Sequence, residues 1–220
     1  MNVLLIQQLM NMQKLQRKEL LDGQNVVKMC LIMKGNLYLV GGFDPEFMDE
    51  DLDSLVNVIA QSGIRYISDT LAADVSMTDS IYWGTGWSWD DVPASFQPYM
   101  SPLMLNRGCV DVTVIPTQKD SLPQVICVPA SDYYQVDNDG VSNNSQAGRL
   151  QITRNWLHHG NLIHISGNVT KETTRTLSIY NSKEFFFQTF SNRLKAKGIG
   201  FNQTAFVDCP ENDSLMVVTP

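Results

Sequence analysis

Leu37-Tyr38-Leu39-Val40-Gly41-Gly42-Phe43-Asp44-Pro45 carries four apolar residues into a glycine pair, an acid and a proline, and Asp49-Glu50-Asp51-Leu52-Asp53-Ser54-Leu55-Val56-Asn57-Val58-Ile59-Ala60-Gln61 follows. The first stretch reads as a short strand ending in a turn. The second puts Leu52, Leu55, Val56 and Ile59 on one helical face. Its early acids suit the positive end of a helix, and Gly63 supplies the stop. Ile64 to Ile67 is then the next strand, so strand, helix and strand succeed one another as in an α/β unit.

Before this unit, Leu4, Leu5, Leu9, Met12, Leu15 and Leu20 recur at three- to five-residue intervals among glutamines, which predicts an amphipathic helix ending near Gly23. After it the pattern alternates. Val110, Val112 and Val114, Val125 to Val128, Leu150 with Ile152, Leu162 to Ile165, and Leu177 with Ile179 are candidate strands, with turns expected at Asp139-Gly140 and His159-Gly160. A last helix is expected from Ser182 to Lys197, with Phe186, Phe187, Phe190 and Leu194 on one stripe and Gly198 closing it. The fold class is therefore α+β (mixed α/β), a small α/β subdomain plus a β-rich one. Residues 1–33 form a divergent helical segment, 34–108 and about 170–220 the α/β part, and about 109–169 the β-rich insert.

The 220 residues carry a formal net charge of −7 and no basic stripe, which argues against a nucleic-acid partner. No apolar run reaches the roughly 18 residues of a membrane span. Met1 to Met10 lacks a basic leader and a cleavage site, so the chain as written is expected to carry no export signal and to stay in the cytoplasm. Cys30, Cys109, Cys127 and Cys209 lack metal-site spacing and are expected as free thiols. One disulfide, Cys109 to Cys127 across a turn near Lys119, stays open.

Asp44, Glu46, Asp49, Glu50, Asp51 and Asp53 flank a helix start, where acids are favoured, and are read as that rather than as calcium ligands. Asp137-Asn138-Asp139-Gly140 has glutamine (Gln135, Gln146) where a calcium loop needs carboxylates, so it reads as a hairpin turn. The polar run Asp137 to Gly148 is expected to be a mobile loop or a subdomain edge. His158, His159 and His164 have no nameable acid or nucleophile beside them, so neither a metal, a cofactor nor a catalytic base is assigned. Phosphate-loop, nucleophile-elbow and dinucleotide fingerprints are missing, since Trp89 stands where the last needs glycine after Gly84-x-Gly86.

Gly84-Thr85-Gly86-Trp87-Ser88-Trp89-Asp90-Asp91-Val92-Pro93 gathers two tryptophans and two carboxylates in one punctuated loop. Such a loop either plugs a core or meets a ligand. Together with Gly35 to Pro45, Ser62-Gly63-Ile64, Ile67, Asp74, Leu105-Asn106, Val110 to Pro116, Ile165-Ser166-Gly167 and Lys197-Gly198-Ile199, it resembles the penicillin-binding-protein 4 type of D-alanyl-D-alanine carboxypeptidase/endopeptidase, the S13 serine peptidase family. The likeness runs from Lys34 to Phe206. In that family a penicillin-recognising domain carries Ser-x-x-Lys, Ser-x-Asn and Lys-Thr-Gly, and two smaller domains are inserted after the first motif. The chain resembles the insert.

No serine here has lysine three positions on, and no Lys-Thr-Gly occurs. Ser142-x-Asn144 and His158-x-Gly160 lie within insert-like sequence and match the later motifs only as strings. The resemblance therefore implies an accessory region without the acylated nucleophile, such as a truncated or split gene produces. It also implies a periplasmic, peptidoglycan-directed family, and a role for Trp87 and Asp90, with Trp89 and Asp91 beside them, in holding the amino-bearing side chain of a stem peptide. Without the rest of the cleft such a half-site binds weakly. Three partners are expected: the stem peptide, a transpeptidase-like chain, or a second copy paired through the N-terminal helix.

Overall fold

The computed structural model describes the backbone of residues 3–8, 13–21, 24–208 and 215–218, and the side chains of 32–208. The fold is α+β. Its strands are β1 (Val3–Gln8), β2 (Gln13–Leu21), β3 (Gln24–Met33), β4 (Leu37–Gly41), β5 (Ile64–Asp74), β6 (Cys109–Ile115), β7 (Gln124–Val128), β8 (Gln135–Ser142), β9 (Gln151–Arg154), β10 (Leu162–Val169), β11 (Thr173–Ser178), β12 (Gly200–Phe206) and β13 (Leu215–Val218). The helices are α1 (Asp49–Gln61) and α2 (Ser182–Ala196). No helix of the described residues is long and apolar enough to cross a membrane.

The chain forms two compact units, Met1–Asp79 with Phe190–Pro220, and Ser80–Thr189. The second unit thus takes in the tryptophan loop, which the sequence reading put with the α/β part.

In the first unit, β4 and β12 both run parallel to β5, and β3 runs parallel to the start of β5. Because β12 spans β5 from Tyr66 to Ala73, β3 and β4 must follow one another along its other edge. The gap between them is bridged by side chains. The Thr70 N–H donates to Asn36 Oδ1 at 3.0 Å, and the Gly35 N–H, at a φ of 101°, donates to Ser68 Oγ at 3.1 Å. Those two bonds keep β5 paired where its neighbour breaks, which gives the Gly35-Asn36 pair a physical job. β1 and β13 continue the sheet as antiparallel neighbours beyond β4, and β2 pairs with β3.

Helix α1 connects β4 to β5 and buries Leu52, Leu55, Val56 and Ile59, the face expected from the sequence. Each such side chain contributes roughly 1.5–3 kcal/mol of gross burial before ordering entropy is subtracted. Asp51 closes the helix start by accepting the Met48 N–H at 2.9 Å. Helix α2 ends as Gly198 predicts. The Ile199 and Gly198 N–H groups donate to Leu194 and Lys195 carbonyls while Gly198 sits at a φ of 76°, a Schellman closure. Arg193 on α2 donates to Asp53 Oδ1 at 2.9 Å and to the Asp49 carboxylate.

The N-terminal expectation is corrected. Where an amphipathic helix was read, residues 3–8, 13–21 and 24–33 are strands, so a helix-mediated copy-to-copy contact loses its basis. Leu21 pairs with Gln24 in the antiparallel ladder of β2 and β3, and the two residues between them in the sequence are Asp22-Gly23, an Asp-Gly hairpin signal.

The second unit holds two three-stranded sheets, β11-β6-β7 and β8-β10-β9. Residues Asp137 to Ser142 lie within strand β8, parallel to β10, and are neither a hairpin turn nor a loop. Cys109 and Cys127 are free thiols. Cys127 stands opposite Val112 in the ladder, so it shares that residue's face while Cys109, three positions away, points to the other. The burial of Cys109, aided by the nearby Asp111 charge, pushes its thiol up to about 12, and its Sγ lies 3.5 Å from the Arg107 carbonyl. The thiolate is therefore scarce at any ordinary pH. Iodoacetamide at pH 8, followed by peptide mass mapping, should leave Cys109 unmodified in the native protein and label it in urea; equal labelling in both would show the buried thiol to be misplaced.

Candidate functional site

Trp87 and Trp89 do not plug a core: they are 44% and 66% exposed. The loop that carries them is closed by its own backbone. The Asp91 N–H donates to the Ser88 carbonyl at 3.2 Å and the Ala94 N–H to the Asp91 carbonyl at 2.8 Å, which makes Trp89–Asp91 a single 3-10 turn. Ser88 Oγ donates to the Asp90 carboxylate, and the buried Gln97 side chain donates to the Ser88 carbonyl from beneath. Trp87 folds back over Gly84, whose missing Cβ would stand 3.9 Å from the indole nitrogen. Asp90 and Asp91 are exposed on the same turn.

Downstream, the loop is fixed to the sheet. The Ser178 N–H donates to the Pro93 carbonyl at 2.9 Å, Ala94 bridges to Leu177, and Val92 is buried. Trp83 Nε1–H donates to the Pro98 carbonyl at 2.8 Å, which ties the start of the loop to its end. Its ring lies 4.8 Å from that of Tyr99, a buried residue that also meets Tyr82 and Tyr180 edge-on at 5.2 Å. Burial and the neighbouring Tyr180 raise the Tyr82 hydroxyl above its usual range, so this phenol packs here in its neutral form.

The opposite wall comes from the turn after β9. The Leu162 N–H donates to Asn155 Oδ1 at 3.0 Å, and Gly160 packs so tightly on the Asn155 side chain that a Cβ there would fall 2.1 Å from it. Only glycine fits, and His159 beside it takes a left-handed φ of 52°. This turn presents Trp156, whose ring centroid lies 5.6 Å from that of Trp89 at an angle of 41°. Trp83, Trp89, Val92, Tyr99, Trp156, Leu157 and His159 then line a half-open cleft of about 270 Å³.

Of the four sequence-predicted residues, the structure brings Trp89 into this cleft and places Trp87, Asp90 and Asp91 on the adjoining turn, outside its lining. Trp83, Tyr99, Trp156 and His159 went unrecognised. Trp156 and His159 had one legible signal, an aromatic and a histidine ending on the His159-Gly160 turn that the sequence did announce. The arrangement offers aromatic walls to an apolar chain and carboxylates to a cation, and among the described residues no activated nucleophile faces it. On the sheet β8-β10-β9, His164 Nδ1 lies 3.1 Å from Asp137 Oδ2, and Asp139 completes a group of metal-ligating atoms within 4.8 Å of one another.

The family model of the D-Ala-D-Ala carboxypeptidase 3 (S13) family matches residues 27–217. The D-alanyl-D-alanine carboxypeptidase of Actinomadura sp. (strain R39) is 31% identical over 126 residues, 54% of this chain and 23% of that protein. The D-alanyl-D-alanine carboxypeptidase DacB of Haemophilus influenzae is 23% identical over 174 residues, 77% of this chain and 36% of that protein. The crystal structure of penicillin binding protein 4 (dacB) from Haemophilus influenzae shares the fold at a TM-score of 0.64 and 17% identity, covering 99% of this chain and 47% of that one. The chain spans less than half the length of each.

Proposed function

The chain belongs to the D-Ala-D-Ala carboxypeptidase 3 (S13) family, and we propose that it is a non-catalytic accessory region of such an enzyme, with the Trp87 to Asp91 turn holding the amino-bearing side chain of a peptidoglycan stem peptide. The observation that carries this reading is the exposure of Trp87 and Trp89 beside two exposed carboxylates on one short turn. Apolar rings are left in water at a cost unless something covers them, and an alkyl chain ending in an ammonium matches both surfaces. Ser88 orients the Asp90 carboxylate, which leaves its other oxygen for the ligand. Acyl transfer needs a serine activated by a nearby base, and the residues present supply no Ser-x-x-Lys pair.

The half-site works best when a transpeptidase-like domain or partner chain closes over it, because enclosure and preorganisation set affinity. The same exposed turn supports a second reading, a scaffold that holds stem peptides without any catalytic partner.

Trp fluorescence during titration with a diaminopimelate-containing stem peptide tests the recognition, and labelled penicillin followed by denaturing electrophoresis tests the lack of acylation. The peptide should shift the emission at millimolar concentration. Asp90→Ala should weaken binding by about tenfold, roughly the 1.5 kcal/mol of a charge-assisted hydrogen bond. No labelled band should form. An unchanged response in Asp90→Ala counts against the recognition role, and a covalent band against the non-catalytic one.

A further inference from the structure

The polar face of the sheet β8-β10-β9 holds a group that the peptide-binding reading does not use. Parallel pairing sets His164 beside Asp137 and Ser166 beside Asp139, and antiparallel pairing sets Thr153 on the other side of His164. Alternation along β10 buries Ile163 and Ile165 and turns His164 and Ser166 outward. Asp137 and Asp139, two positions apart on β8, therefore stand on the same outer face as His164. The ligands come from two adjacent strands whose spacing is fixed by the ladder, a more rigid base than a loop.

The geometry points to a divalent transition-metal site formed by Asp137, Asp139 and His164. First-row divalent ions bind imidazole nitrogen and carboxylate oxygen at about 2.0–2.2 Å, so two ligand atoms on one ion stand roughly 3.0–3.5 Å apart. The Nδ1 of His164 and Oδ2 of Asp137 already do so at 3.1 Å, and a carboxylate oxygen of Asp139 stands within 4.8 Å of the other two ligand atoms. Among the described residues, no lysine or arginine forms an ion pair with either aspartate. A dication placed between them relieves the repulsion of the two carboxylates. One imidazole with two carboxylates suits Mn²⁺ through Zn²⁺ better than Ca²⁺, which takes oxygen ligands only. His164 and Asp137 are 39% and 50% exposed at the side chain, so water fills the remaining positions and exchange is fast.

The test uses the whole chain with the metal ions alone. Calorimetric titration with Zn²⁺ should show a site that His164→Ala and Asp139→Asn each weaken by at least about tenfold, 1.4 kcal/mol, with unchanged far-UV circular dichroism. The histidine ring resonances under Mn²⁺ separate this site from zinc held by cysteines or by His158 and His159. Substoichiometric Mn²⁺ should broaden the ring resonance of His164 ahead of those of His158 and His159, the His164 resonance being assigned in the native chain by its through-space contacts, so this reading stands even if a variant folds poorly. Zn²⁺ affinity equal in the native chain and both variants, or Mn²⁺ that leaves the His164 resonance sharp, overturns the proposal.

Discussion

The guanidinium of Arg154 is buried to 1% exposure at the end of β9, and the second unit is organised around it. Its Nε donates to the Ser178 carbonyl at 2.8 Å, its Nη1 to the Gly160 carbonyl at 2.6 Å, and its Cζ lies 5.8 Å above the ring of Tyr99. Desolvation lowers its pKa, the expected direction for a cation removed from water, and the contacts with Tyr99 act against it. One planar group thus joins the end of β11, the turn that carries Trp156 and His159, and the loop that carries Trp83 and Trp89. Lysine, with a compact ammonium, cannot make this three-way joint. The aromatic cleft exists because these segments are held together.

The parts legible in the sequence are those whose causes are local. Helix α1 announced itself through an apolar stripe and early acids, and α2 through its phenylalanines and Gly198. The first strands are not legible because leucines spaced among glutamines satisfy a helical period as readily as a strand edge, and Gly23 suits a helix stop as readily as, beside Asp22, it suits a hairpin. Asp137 to Gly140 failed for the opposite reason. A turn-rich composition was overridden by pairing with β10, a partner more than twenty residues away. Arg154 and the rung of Asp137 and His164 left no trace in local pattern, since both depend on contacts between distant segments.

The composition of the tryptophan loop marks it out in the sequence, and the exposure of Trp87 and Trp89 speaks against the core-plug reading. The structure adds a second wall, Trp156, and a floor, Tyr99, that no spacing rule connects to Trp89. Two adjacent strands and one buried cation thus fix the aromatic walls of the cleft in place.

Near-UV circular dichroism of Arg154→Lys tests that dependence most directly, because it keeps the charge and removes the planar joint. The account predicts that most of the aromatic band is lost while the far-UV spectrum is retained, as Tyr99, Trp89 and Trp156 lose their fixed surroundings. A near-UV band identical to that of the native protein would contradict it.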